Sequence, residues 1–328
     1  MSLPYAVVVA DLDGTLLSPD STVSPRTRAT LCRLSQAGVF VVLATGRIHS
    51  DVASILHNLQ LPRPGYLVTS GGARVHMIGP SKEKEKKLET TKKGTPPMDL
   101  VLARDVACDV VCDLLQILPP DEAEVNINIY QGDAWKCTLD WHEELEHYKN
   151  SGLKYILVKP EELVREYQEY LKHQKNEEEK AKGSDASKAM SPNNPLEGVG
   201  KLAFGSDNTE RLHALEEKIS QKYQTRVEVV FSSLYCLDVC GAGVTKRSAT
   251  EALLQRLPPH NGTTLTMANC IVFGDGMNDK EVLDAAGKGC VMGNANPKLK
   301  ALLPHLEVIG TNVEEGVAKK LEEVFKLE

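Results

Sequence analysis

Two carboxylates stand two residues apart at Asp11 and Asp13, behind the apolar run Val7-Val8-Val9-Ala10 and ahead of Gly14 and Thr15. A glycine lets the chain turn where a strand ends, so both acids can converge on one point just beyond it. Acids so placed suit a divalent cation, or a nucleophile with its proton donor. A second acidic turn, Gly274-Asp275-Gly276-Met277-Asn278-Asp279, follows another short apolar run. Asp11, Asp13 and Asp275 could not share a small site as bare anions, since each pair about 4 Å apart repels by roughly 4 kcal/mol at an effective dielectric near 20. A divalent cation removes that repulsion, and all-oxygen ligation at a partly open site favours Mg²⁺ over zinc. Such a metal beside hydroxyls, backbone N–H groups and a lysine is a site for phosphate, because phosphoryl transfer rests on positioning and charge neutralisation.

Bringing these residues together requires a particular scaffold. Residues 7–10, 39–43, 66–69 and 270–273 read as short buried strands, and helices over 24–38, 50–59, 246–257 and 280–286 alternate with them. A further short strand at 290–292, a strand near 308 and a helix over 313–325 close the chain. Alternation of this kind predicts right-handed crossovers and an α/β fold with a Rossmann-like, doubly wound parallel sheet. Open parallel sheets bind ligands outside the carboxyl ends of their strands. Four turns fall there: Asp11 to Thr15, Thr45-Gly46-Arg47, Ser70-Gly71-Gly72 and Gly274 to Asp279.

The middle of the chain has a different character. A helix over 105–118, strands over 125–130 and 136–139, a helix from 160 and a strand–helix–strand unit over 201–231 predict a second α/β unit. The expected organisation is a discontinuous core, residues 1–82 and 241–328, with an inserted unit over 83–240. Within it, the alternating charges of 81–93 read as an exposed connection, and 173–198, polar and poor in aromatics, as a mobile insertion.

Composition narrows the function classes. The 328 residues are 41% apolar and 25% charged, as in a soluble globular protein. A net charge of −7 with interspersed signs argues against nucleic acid or an anionic membrane as partner, while leaving room for a small anionic substrate in a local positive pocket. No run approaches the roughly 18 apolar residues of a membrane span, and no secretory signal opens the chain, so a cytoplasmic location is expected; the oligomeric state stays open, a monomer being slightly favoured. Eight cysteines without a C-x-x-C pair or a zinc spacing read as reduced and mostly buried. Two near-motifs fail on spacing: His142 and His147 lie five apart, not four, and residues 241–246 lack the Gly-Lys pair of a phosphate-binding loop. The sequon at Asn261 reads as chance.

In this order, the motifs resemble those of the haloacid dehalogenase superfamily, and within it the Cof-type (type IIB) phosphatases, which carry a large α/β cap of the C2B kind. Asp11-Leu12-Asp13-Gly14-Thr15 is similar to the first motif, Thr45-Gly46-Arg47 to the second, Gly243-Val244-Thr245-Lys246 to the third and Gly274 to Asp279 to the fourth. Met292-Gly293-Asn294-Ala295 and Glu315-Gly316-Val317-Ala318 also resemble the subfamily. Ser70-Gly71-Gly72-Ala73 departs from its usual Asn-Gly-Ala, although serine can still hydrogen-bond. The resemblance implies that Asp11 attacks phosphorus to give an aspartyl phosphate. Asp13 protonates the leaving alkoxide, then activates water, and lends its backbone carbonyl to Mg²⁺. Thr45, Gly46, Arg47, Ser70 and Asn278 would contact phosphate or substrate, Lys246 would stabilise Asp11 and the transferring charge, Asp275 would bind Mg²⁺ directly and Asp279 through water. The implied activity is Mg²⁺-dependent hydrolysis of a small phosphorylated metabolite such as a sugar phosphate, nucleotide or phosphorylated cofactor. Two alternatives stand beside it, a phosphomutase of the phosphomannomutase type and a non-catalytic phospho-ligand regulator. For Thr45 and Asp279, simple helix-capping roles are the competing explanation.

Overall fold

The computed structural model describes residues 3–79, 98–119, 123–140, 154–181, 193–260 and 262–327. Five strands open the chain: β1 (Val7–Ala10), β2 (Phe40–Ala44), β3 (Gly65–Thr69), β4 (Arg74–Ile78) and β5 (Asp99–Ala103). Six follow in the middle: β6 (Asn126–Gln131), β7 (Ala134–Cys137), β8 (Tyr155–Leu157), β9 (Val199–Gly205), β10 (Val227–Ser233) and β11 (Cys236–Gly241). The last are β12 (Cys270–Gly274), β13 (Lys288–Val291) and β14 (Glu307–Val308).

The larger sheet has the order β14-β13-β12-β1-β2-β3-β4-β5. Its central strand β1 pairs in parallel with both β2 and β12, Val9 lying opposite Val42 and Val272. Every residue of these three strands is buried. Burying one such valine contributes about 1.5–3 kcal/mol, which explains why the strands read as unbroken apolar runs. The sheet is parallel from β14 to β3 and then ends in two antiparallel strands. The Ser70-Gly71-Gly72 turn between β3 and β4 has φ values of 51°, 68° and 113°, so the chain reverses within three residues where a parallel crossover would need a dozen. Because β5 belongs to this sheet, the core continues past the boundary expected at 82, as far as Ala103. The connection at 81–93 lies outside the described residues, as do His142, His147 and Asn261.

The smaller sheet, β10-β11-β9-β6-β7-β8, is antiparallel except for the β7–β8 pair. One face buries Ile127, Leu202, Phe204 and Val239 against three helices, Cys108–Leu114, Pro160–Ala181 and Thr209–Tyr223. Period-two alternation sends Tyr130, Lys201 and Asp238 to the other face. The expected insertion at 173–198 requires correction. The helix begun at Pro160 runs on to Ala181 through good helix formers such as Glu, Lys and Gln, and Leu196 is 1% exposed; residues 182–192 lie outside the described set.

The eight cysteines are free, and Cys112, Cys137, Cys240, Cys270 and Cys290 are buried. Among the described residues, no helix is long and apolar enough to cross a membrane.

Candidate active site

Strand β1 delivers Asp11 in extended conformation at its carboxyl end, and the chain then curls, with the Leu16 N–H donating to the Asp11 carbonyl at 3.2 Å. Gly14 makes the curl possible. Its φ is 73°, and a Cβ there would stand 2.4 Å from Asp275 Oδ2, so both conformation and space demand glycine. The Thr15 hydroxyl donates to Asp275 Oδ1 at 2.8 Å, and Asn294 Nδ2 donates to the Gly14 carbonyl at 2.7 Å. The turns after β1, β12 and β13 are thereby joined.

Lys246 enters from the helix that follows β11. Thr245 caps the helix Lys246–Leu254, its hydroxyl accepting from the Ser248 N–H while the Ser248 hydroxyl accepts from the Thr245 N–H. This cap fixes the first helical residue so that its ammonium, fully buried, donates to Asp11 Oδ1 at 2.6 Å and Asp279 Oδ1 at 2.7 Å. Asp279 Oδ2 accepts the N–H groups of Asp275 at 3.1 Å and Gly276 at 3.0 Å. Both oxygens of Asp279 are thus engaged, whereas Asp275 Oδ2 points toward Gly14.

Asp11, Asp275 and Asp279 form a group whose ligand oxygens lie within 4.8 Å of one another. Asp13 is not in it. Its carboxylate, two residues beyond the strand end, is 54% exposed and clasped by Arg47, which donates from Nε at 2.7 Å and from a second guanidinium nitrogen. The acidic cluster therefore takes Asp279 in place of the Asp13 side chain, because the turn at Gly14 swings Asp13 outward while the helical turn at 277–279 folds Asp279 in.

Charge balance in the cluster is uneven. Burial raises the Asp11 carboxyl well above the usual carboxylate range; Lys246 opposes this, and Asp279 and Asp275 add to it. Burial and then the Asp279 charge push Asp275 up to about 6. Burial alone would lower Lys246, but Asp11 and Asp279 hold its ammonium above the ordinary lysine range. Three acids against one ammonium leave net negative charge in a buried oxygen-lined site, a donor set that fits a hard divalent cation.

The turn after β2 faces this cluster. Thr45 is buried; its N–H donates to the Val68 carbonyl at 2.8 Å and its hydroxyl oxygen accepts the Arg47 N–H at 3.1 Å. It does not cap the next helix, His49–Asn58, whose cap position is Ile48. Arg47 also donates to the buried Asp51 at 3.0 Å. Ser70 and Gly71 hold the loop from behind, Ser70 N–H to the Arg47 carbonyl at 2.8 Å and Gly71 N–H to the Thr45 carbonyl at 3.2 Å. Asn278 and Lys246 line a cavity of about 270 Å³ between the two sheets, together with Gly71, Val230, Asp238 and Cys240.

The structure thus brings Asp11, Thr45, Gly46, Arg47, Lys246, Asp275, Asn278 and Asp279 to one rim, with Ser70 behind it. Sequence reading assigned no role to Asn294, Lys201 or Asp238. Lys201 Nζ lies 2.7 Å from the Gly46 carbonyl and 2.9 Å from Asp238 Oδ2. Lys201 leads into the apolar run Leu202-Ala203-Phe204 and reads from the sequence as a solvated charge; only the structure shows that every residue of this strand is buried.

Comparison with known proteins gives a consistent picture. The family described as haloacid dehalogenase-like hydrolase matches residues 8–321. A Haemophilus influenzae relative is 34% identical over 328 residues, 100% of both chains. An HMP-PP phosphatase of Serratia proteamaculans is 31% identical over 319 residues, 97% of this chain and 94% of that one. Among solved structures, a haloacid dehalogenase-like hydrolase from B. subtilis superposes with a TM-score of 0.70 at 22% identity, covering 97% of this chain and 99% of that one. A sugar phosphatase of subclass IIB gives 0.65 at 16% identity over 97% and 98%.

Proposed function

The chain belongs to the haloacid dehalogenase-like hydrolase family and is a phosphatase, and we propose that it hydrolyses a small phosphorylated metabolite through an aspartyl phosphate on Asp11, with Mg²⁺ as cofactor. The observation that carries this reading is the buried Lys246 ammonium bridging Asp11 and Asp279 at the carboxyl rim of the sheet.

Asp11 and Asp275, with the backbone carbonyl of Asp13, would hold the cation, and Asp279, both oxygens engaged, would meet it through water. The cation, when bound, neutralises the clustered carboxylates and the phosphoryl oxygens. Lys246 fixes the Asp11 carboxylate and stabilises the charge that gathers on the transferring group. Thr45 and Gly46 offer hydroxyl and backbone N–H donors to the phosphoryl oxygens. Asp11 attacks phosphorus as the bond to the leaving oxygen breaks, and Asp13, swinging from Arg47, gives that oxygen its proton. Asp13 then takes a proton from water, which attacks the phosphoryl group and frees Asp11.

The cavity between the sheets accommodates the remainder of a small substrate, so the inserted unit, residues 104–240, acts as a cap that sets specificity. Because close relatives carry the name HMP-PP phosphatase, HMP-PP is the first substrate to test, followed by sugar phosphates, nucleotides and phosphorylated cofactors. The experiment is phosphate release from this panel with Mg²⁺ or EDTA, for the parent and Asp11→Asn. Metal-dependent release that vanishes in Asp11→Asn is expected; activity retained in Asp11→Asn refutes the mechanism. Exchange of phosphate between positions of a sugar, without release, would favour the phosphomutase alternative.

A further inference from the structure

The cap reaches the phosphate-binding turn with one side chain. Lys201 is 2% exposed and stands near the middle of β9, directly opposite Tyr130 of β6 and diagonal to Asp238 of β11. Its ammonium has three donors and three partners from different parts of the chain. Asp238 Oδ2 accepts at 2.9 Å, the Tyr130 ring lies 4.4 Å away, and the Gly46 carbonyl of the core accepts at 2.7 Å. The pair packs directly on this turn: a Cβ at Gly46 would meet Asp238 Oδ2 at 3.4 Å and Lys201 Nζ at 3.6 Å, ordinary contact distances.

The core anchors the other two carbonyls of the same turn, Thr45 through Gly71 N–H and Arg47 through Ser70 N–H. Only the central one is held by the cap. Its hydrogen bond fixes the peptide joining Gly46 to Arg47, whose N–H donates to the Thr45 hydroxyl oxygen at 3.1 Å, and hence the direction in which that hydroxyl presents itself. Asp238 keeps the ammonium charged and aimed: burial alone would lower the lysine's proton affinity, and Asp238 raises it above the ordinary range.

We infer that Lys201 and Asp238 are positioning residues of the phosphoryl-transfer reaction, completing the phosphate-binding turn from the cap, so that the turn is fully assembled only with the cap seated on the core. This rests on the reading of residues 45–47 as the phosphate-holding turn. A lost lysine would slow transfer for every substrate, including a small aryl phosphate that makes no specific cap contact, and would act on kcat more than on KM.

The test uses the full chain. Lys201→Met/Asp238→Asn removes donor and charge together, so no lone buried ion remains. A kcat about tenfold or more lower on both an aryl phosphate and the best metabolite, with KM within about threefold and a cooperative melt, is expected. Lys201→Gln, a shorter, neutral amide that cannot hold the Gly46 carbonyl and Asp238 as the ammonium does, carries the same expectation and serves if the double variant does not fold. A folded variant with parental kcat overturns the inference, as does a loss confined to KM, which would make the pair a substrate contact. Asp11→Asn is assayed alongside. Activity retained there sinks the underlying reading, whereas its loss beside an unaffected Lys201 variant sinks this inference alone.

Discussion

Gly72→Ala tests the site geometry without removing any functional group. Gly72 ends the turn between β3 and β4 with a φ of 113°, and a Cβ there would meet the Thr245 carbonyl oxygen at 2.3 Å and its carbon at 2.6 Å. Ordinary contact begins near 3.4 Å, so one of the two backbones must give way by about 1 Å. Thr245 caps the helix whose first residue is Lys246, and the displacement passes directly to the ammonium 2.6 Å from Asp11. A misplacement of about 1 Å can cost roughly 100-fold in rate, and backbone strain at such a φ adds on the order of 1–3 kcal/mol to the folded state. The expected result is a kcat about 100-fold lower on a small aryl phosphate, with a melting temperature several degrees lower. Gly132→Ala is the matched control. It shares a positive φ of 53° but has nothing within 4 Å of its Cβ, so it should lose stability and keep kcat. Steady-state kinetics and thermal melts on the three proteins decide the matter. A folded Gly72→Ala protein with kcat within about threefold of the parent would refute the claim that this turn sets the lysine.

Three further outcomes are expected. Lys246→Met leaves Asp11 and Asp279 buried without their counter-charge, so urea unfolding in EDTA should show a loss of about 3–5 kcal/mol, with kcat down about 1000-fold; an unchanged midpoint would contradict the ion-pair geometry. Arg47→Lys cannot span Asp13 and Asp51 with a forked, planar group, so kcat should fall about tenfold while the melt is retained, and parental turnover would count against a role in aiming Asp13. The stacked pair His49 and His76 makes stability depend on pH. Burial, then the neighbouring His49 charge, pushes His76 down to about 4, and burial lowers His49 even though Asp133 opposes it. Unfolding lets both take up protons near 6.5, so their contribution is complete above that value and declines as the pH falls toward 4. The raised Asp275 works in the opposite sense over the same interval, so the measurement is the difference in urea midpoint between the parent and His76→Phe from pH 7 to 4.5. An equal slope in the two proteins would rule out the histidine pair as its source.

How much of the site was legible in advance follows from how local its signals are. Strands β1, β2, β3 and β12 announce themselves as apolar runs ending in glycine-containing polar turns, and the rule that ligands gather at such ends places Asp11, Thr45 and Asp275 on one rim. Ser24 and Pro25 open their helix as expected, the serine hydroxyl accepting from the Thr27 N–H at 3.1 Å. Strand β4 was harder to see, since its alternating Arg74, His76 and apolar residues carry no parallel-strand signature, and β5 lies beyond a highly charged stretch.

The sequence by itself determined the parallel strands at the centre of the sheet and the rim of acids and hydroxyls at their ends, because apolar periodicity and turn glycines act between residues close along the chain; Lys246 was marked only by its place in the motif Gly243-Val244-Thr245-Lys246. Tertiary structure alone decided which carboxylates share the cluster. Asp13 turns out to Arg47, 34 positions away, while Asp279 turns in to Lys246, 33 positions away. It also decided that Lys201, which alone in a strand reads as a solvated charge, is buried against Asp238 and the Gly46 carbonyl, 155 positions distant. Such partners are set by how the two sheets dock, and a charged side chain carries no mark of which opposite charge, or which carbonyl, will replace its water.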